Sequence, residues 1–122
     1  MIEKPLGFQS NDPQFNGPQY LEDLATGYWY SQALFTAVEL DLFTLLEPEG
    51  KPLAEIAAAL QLEAGGLERF LQTLKALGLV EQYGEIYFNT GVARDYLARG
   101  RELYQGESIL WRQQLFPNWR TL

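Results

Sequence analysis

The stretch from Tyr28 to Leu46, YWYSQALFTAVELDLFTLL, constrains this chain more than any other. It is apolar on nearly every helical face and is interrupted only by Ser31, Gln32, Thr36, Glu39, Asp41 and Thr44. A helix on the surface of a monomer carries one apolar stripe and one polar face. This stretch does not, so it demands burial on most sides. A bilayer does not supply that burial, because Glu39 and Asp41 would stand unpaired in hydrocarbon. Two environments remain, the centre of a large core or the centre of an oligomer. A chain of 122 residues has limited means of covering such a helix alone, so the stretch reads as a helix seeking a partner.

That length suits one domain. With no cysteine, a disulfide framework, a thiolate metal site and a cysteine nucleophile are excluded, and a reducing, cytoplasmic setting is expected. There is no histidine either, which removes the commonest metal ligand and general base. The net charge of −7 opposes a phosphate backbone. Met1 to Gly17 holds no apolar core segment of the kind a signal peptide needs. The expected partners therefore include neither nucleic acid nor membrane.

Residues 1–17 are rich in Pro, Gly, Asn, Gln and Asp, with scattered apolar residues including Phe8 and Phe15. They read either as an extended arm that packs on something or as a frayed terminus. From residue 18 onward the chain reads as one folded domain. A first long helix is expected to start near Pro18, with Glu22 and Asp23 well placed for its dipole, and to continue through Tyr28 to Val38. Asp41 is expected to cap a short helix over Leu42–Leu46. Pro48, Gly50 and Pro52 break the chain. Leu53, Ile56, Ala57 and Leu60 then form one helical face, and Gln61–Gly66 a turn. Leu67, Phe70, Leu71, Leu74 and Leu77 form a second face, which Gly78 closes. Leu79–Tyr83 and Ile86–Asn89 read as two strands joined by a Gly84-Glu85 hairpin. Thr90 can cap another helix with Val92, Ala93, Tyr96 and Leu97 inward, and Tyr104–Leu115 is a last one. The expected fold is mainly α: a winged helix-turn-helix-like domain with one small β-hairpin and long flanking helices.

A winged helix invites a DNA-binding reading. The recognition position, however, carries Glu68, Arg69 and Lys75 with Glu63 just before it, and Glu81 and Glu85 sit in the wing. That face has no cationic excess. The pairs Glu22/Asp23 and Glu47/Glu49 read as solvated surface rather than acid–base machinery. No loop of the EF-hand kind supports a metal site. Gly65-Gly66 lies between two helices, so the phosphate-cradle reading fails on context. The clusters Tyr28-Trp29-Tyr30 and Trp111/Phe116/Trp119 suit either a small-molecule pocket or core and interface packing.

The segments GYWYSQALFTAVELDLF, PLAEIAAAL, GGLERFLQTLKALGLV, YFNTGVARDYL and NWRTL occur in this order. Together they resemble the N-terminal domain of class I S-adenosylmethionine-dependent O-methyltransferases, the plant caffeate and flavonoid type and their bacterial small-molecule relatives. The resemblance runs from about Tyr20 to Leu122. It implies a winged-helix-like dimerisation module whose first long helix interlocks with that of a second copy. It also implies a small aromatic or polyketide-like acceptor and S-adenosylmethionine, both held by a Rossmann-like domain that this chain lacks. The family's acidic-Gly-x-Gly-x-Gly loop and catalytic histidine are absent, so the expectation for these 122 residues is no catalytic, cofactor-binding or metal-binding residue and no activity of their own. The apolar half-helix at Trp119 and Leu122 favours a domain cut from a longer protein over a natural short one. Tyr28, Leu34, Phe35, Val38 and Leu42 are the expected dimer interface. The resemblance further implies that Trp29 and Gln32 approach the partner's acceptor pocket and that Ile109, Leu110, Gln113 and Phe116 line the pocket of their own subunit. The alternatives are a winged-helix transcriptional regulator and a stand-alone interaction protein.

Overall fold

A computed structural model describes residues 17–121. The expected arm therefore lies outside the described residues except for Gly17, and Leu122 lies outside them at the other end. The chain divides into two compact units between Gln32 and Ala33.

The described part of the first unit is α1 (Pro18–Thr26) and the opening of α2 (Tyr28–Glu39). Pro18 opens α1 as expected, since its missing N–H lies among those a helix start leaves unbonded anyway. The single long helix expected from Pro18 is interrupted at Gly27. That residue keeps helical dihedrals (φ −59°, ψ −25°), but its N–H bonds Leu24 O and its carbonyl accepts from Tyr30 N, three residues away in each direction. The ladder tightens there instead of running on.

The second unit begins inside α2 and continues through α3 (Leu42–Leu45), β1 (Lys51–Pro52), α4 (Leu53–Leu60), α5 (Ala64–Ala76), β2 (Val80–Tyr83), β3 (Ile86–Asn89), α6 (Gly91–Leu97) and α7 (Gly106–Leu115). A 3-10 turn follows over Phe116–Thr121. Helix–turn–helix and wing are present in the expected order. The hairpin pairs Val80 with Asn89 and Tyr83 with Ile86, and Gly84 takes the left-handed conformation (φ 61°) that its tight turn requires. The sheet has a third strand that the hairpin reading omits. Lys51 and Pro52 pair with Tyr87 and Ile86, giving the order β1-β3-β2. A two-residue strand containing proline has no sequence signature, and proline is tolerated there because the strand is an edge.

Leu42, Phe43, Leu46, Ile56, Leu71, Leu74 and Val80 are sealed in one core. The i, i+4, i+7 positions Leu67, Leu71 and Leu74 supply the inner face of α5. At α4's end Gln61 adopts the left-handed conformation (φ 56°), and Leu62 N–H reaches back to Ala57 O, closing the helix as glycine usually does. On α6 the expected inward set is half right. Ala93 and Leu97 are buried, while Val92 and Tyr96 are exposed. This seven-residue helix meets the core along a single i, i+4 line, and each next residue lies about 100° further round. The last helix begins at Gly106 rather than Tyr104, because Gln105 N–H is tied to Tyr96 O at 2.7 Å.

Candidate subunit interface and acceptor-facing segment

In the first unit, Leu21 and Leu24 on α1 and Tyr28, Trp29 and Tyr30 on α2 are exposed large apolar residues. The rings of Tyr28 and Trp29 meet edge to face at 6.0 Å, and Trp29 retains 58% of its accessible surface. Gln32 is half-buried. Five large apolar groups within ten residues are thus left exposed, and apolar surface concentrated in this way marks interaction sites.

In the second unit, the remaining expected interface residues divide. Leu34 is half-buried against the core cluster, and Phe35 is buried outside that cluster. Val38 and Leu42 belong to the protomer's own core, with exposures of 3% and 0%. They offer a second copy no surface, so the density expected of the interface along Tyr28–Leu46 falls partly inside one protomer. Asp41 lies between α2 and α3. It takes the left-handed conformation (φ 56°) and turns the chain between α2 and α3. It opens α3 without the expected cap to a backbone amide. Its Oδ1 instead accepts from the Thr44 hydroxyl at 2.6 Å, while Oδ2 lies 3.3 Å from Arg99 Nε. Thr44 Oγ1 in turn accepts from Arg99 N–H at 2.9 Å, and the Arg99 guanidinium stands 5.3 Å from the centre of the Tyr104 ring.

A neighbouring network corrects the reading of Glu47 as solvated surface. Asn89 Nδ2 donates to Phe43 O (2.7 Å) and to Glu47 Oε2 (2.9 Å), and Arg101 Nη2 meets Glu47 Oε1 at 2.8 Å. This carboxylate ties the wing and the segment after α6 to the end of α3. The partners lie more than 40 residues away along the chain, so no local spacing announces them.

Of the residues expected to line an acceptor pocket, Ile109 and Leu110 are half-buried against the core. Gln113 is half-buried and Phe116 exposed. Trp111, Leu115 and Trp119 are also exposed, so the end of α7 and the following turn carry a second apolar surface.

Among the described residues, the one glycine pair between helices offers S-adenosylmethionine no free amides. The glycine pair that could meet an acidic or hydroxylated ligand opens α5, and its amides are already taken: Glu63 Oε1 accepts from Gly65 N at 2.9 Å and Oε2 from Gly66 N at 2.6 Å. These bonds, the Gly66 one foremost, hold the Glu63 carboxyl below its ordinary pKa. Among the described residues no group of three or more His, Cys, Asp or Glu is arranged to hold a metal ion. No described helix is long and apolar enough to cross a membrane. On α5 the exposed Glu68, Arg69 and Lys75 come close to cancelling, so the face gives a nucleic acid no cationic stripe.

Residues 22–99 match the family described as the O-methyltransferase dimerisation domain. The chain is 40% identical over 108 residues to the tetracenomycin polyketide synthesis 8-O-methyl transferase of Streptomyces glaucescens, covering 87% of this chain and 32% of that protein. Its fold superposes with a TM-score of 0.79 on an O-methyltransferase family protein from Burkholderia thailandensis, at 31% identity, over 84% of this chain and 30% of the other. Human N-acetylserotonin methyltransferase in complex with S-adenosylmethionine gives a TM-score of 0.70 at 29% identity, over 93% of this chain and 32% of the other. The chain thus spans about a third of the length of the relatives it matches. It belongs to the O-methyltransferase dimerisation-domain family.

Proposed function

We propose that this chain joins two copies of itself into a homodimer, and that it does so for an S-adenosylmethionine-dependent O-methyltransferase acting on a small aromatic or polyketide-like acceptor. The observation that carries this is the run Tyr28, Trp29, Tyr30, left exposed in the protomer of a dimerisation-family chain. In the assembled enzyme, Trp29 and Gln32 of one subunit border the other's acceptor pocket, while Ile109, Leu110, Gln113 and Phe116 line that of their own. The cofactor and the chemistry belong to residues outside this chain. Sedimentation of the chain at micromolar concentration tests the dimer, and a compact monomer refutes it. In the enzyme that carries this domain, Trp29→Ala and Phe116→Ala are expected to raise the acceptor KM and leave that of S-adenosylmethionine unchanged. An unaltered acceptor KM refutes the pocket assignment.

A further inference from the structure

Helix α7 has little of its own to hold it in place. Of its ten residues only Gly106 is buried. Ile109 and Leu110 are half-buried against the core, and Trp111 and Leu115 are exposed. Its N-cap residue, Gln105, makes no side-chain bond to the helix start. That start is pinned by the Gln105 N–H bond to Tyr96 O and by a stack of side chains. The Tyr104 ring lies against Gly106, so closely that a Cβ there would stand 2.7 Å from ring Cε1 and nearer still to Cζ and the hydroxyl oxygen. The Arg99 guanidinium stands 5.3 Å from the centre of the same ring, within the range of a cation–π contact. Arg99 is in turn held by the junction of α2 and α3. Its Nε lies 3.3 Å from Asp41 Oδ2, and its backbone N–H donates to Thr44 Oγ1 at 2.9 Å. An ion pair as exposed as this one adds little stability; its effect is to hold a planar cation beside the ring.

We propose that Arg99 and Tyr104 are positioning residues for the acceptor: stacked between Asp41 and Gly106, they fix how α7 leaves the core and so where Ile109, Leu110 and Gln113 stand. The inference rests on the acceptor-facing reading of α7 above. Each member of the stack has a chemical reason. Position 106 requires glycine, because any Cβ meets the ring. Position 104 requires a flat ring, which reaches Gly106 with its phenol end and the cation with its π system. Position 99 requires arginine. A guanidinium can face Asp41 through Nε and lie beside a ring at once, whereas a lysine ammonium is a point charge with no plane to stack. The stack joins the end of α2 to the start of α7, so the helix with the acceptor-facing residues is placed from the opposite end of the fold's sequence rather than by its own packing.

The experiment uses the enzyme that carries this domain. Tyr104→Ala removes the ring and Gly106→Ala displaces it. Both are expected to raise the acceptor KM by about tenfold or more, as a small misplacement of substrate-positioning groups does, and to leave the KM of S-adenosylmethionine unchanged. Tyr104→Phe keeps the ring and is expected to keep the wild-type acceptor KM. Gly106→Ala discriminates further. Alanine favours a helix more than glycine does, so a role confined to helix stability predicts no loss from it, whereas expulsion of the ring predicts one. Hydrogen exchange of the same variants supplies a second reading: amides of α7 are expected to exchange faster while those of α5 keep their wild-type rates. An acceptor KM unchanged in either alanine variant, with Phe116→Ala raising it, overturns the stack and leaves the acceptor-facing reading standing. An acceptor KM unchanged in all three variants overturns both. Faster exchange in α5 together with α7 shows the stack holding the core as a whole and overturns the positioning role.

Discussion

Leu42→Ala separates protomer core from subunit interface in the stretch where the sequence merges them. Leu42 follows the left-handed Asp41, opens α3 and has no exposed surface in a single protomer. The substitution removes about three methylene equivalents. At ~0.8 kcal/mol each, transfer alone sets a loss near ~2.4 kcal/mol. Leu42 belongs to a cluster of sealed side chains that includes Phe43, Leu46 and Leu74, and such a core collapses only in part. The cavity term then takes the total to about 2.7–5 kcal/mol, a large share of the ~5–15 kcal/mol that holds a domain folded. Urea unfolding followed by circular dichroism at several protein concentrations measures it. The midpoint is expected to fall with an unchanged slope. Its dependence on protein concentration, which reports dimer formation, is expected to match that of the wild type. A loss under ~1 kcal/mol accompanied by weaker self-association would refute the packing described here and return Leu42 to the interface.

Two further outcomes follow from local geometry. Glu63 has a folded-state pKa below its unfolded value because the Gly66 and Gly65 amides bond its ionised form. Its contribution is therefore complete above the unfolded pKa and lost as pH falls through the folded one. Thermal melts of Glu63→Gln are expected to lie below wild type near neutrality and to converge with it well below about pH 4; a constant gap at all pH values contradicts the assignment. At Gly50 (φ 76°), a Cβ would sit 2.6 Å from both Tyr87 O and Phe88 Cδ1, while at Gly84 (φ 61°) nothing lies within 4 Å. Both alanine variants meet the left-handed penalty of about 1–2 kcal/mol, and Gly50→Ala is expected to lose clearly more stability in denaturant titration. Equal losses would show that β3 yields to the new methyl.

The helix–turn–helix and wing were legible because their signals are short in range. The α5 face repeats at i, i+4 and i+7, and a glycine sits where the hairpin needs a positive φ. What was not legible depends on partners far along the chain. Lys51-Pro52 becomes a strand only because β3 is there to receive it. Glu47 looked like one of two loop carboxylates until Asn89 and Arg101 closed on it. The inward face of α6 cannot be read from its apolar residues, because a short helix touching the core along one line leaves half of a plausible apolar set outside. Asp41 marks a helix start in the sequence, and its part in the structure differs from that of a cap. It does open α3, but through the Thr44 hydroxyl and the turn its own backbone makes rather than through an amide cap.

The division along Tyr28–Leu46 has a chemical correlate that periodicity conceals. Tyr28, Trp29 and Tyr30 each join a large apolar ring to one hydrogen-bonding group. Such residues tolerate water on one side and a partner on the other. Ala33, Leu34, Phe35, Ala37 and Val38 have no side-chain polar atom, and apart from the half-buried Leu34 they are buried in the protomer. A simple apolar/polar pattern counts both groups as apolar, and they differ in what they can do while unpaired. A helix that had to spend time in a free protomer would keep its positions without polar atoms covered and leave the aromatic residues with polar tips for the partner, and this order of residues does so.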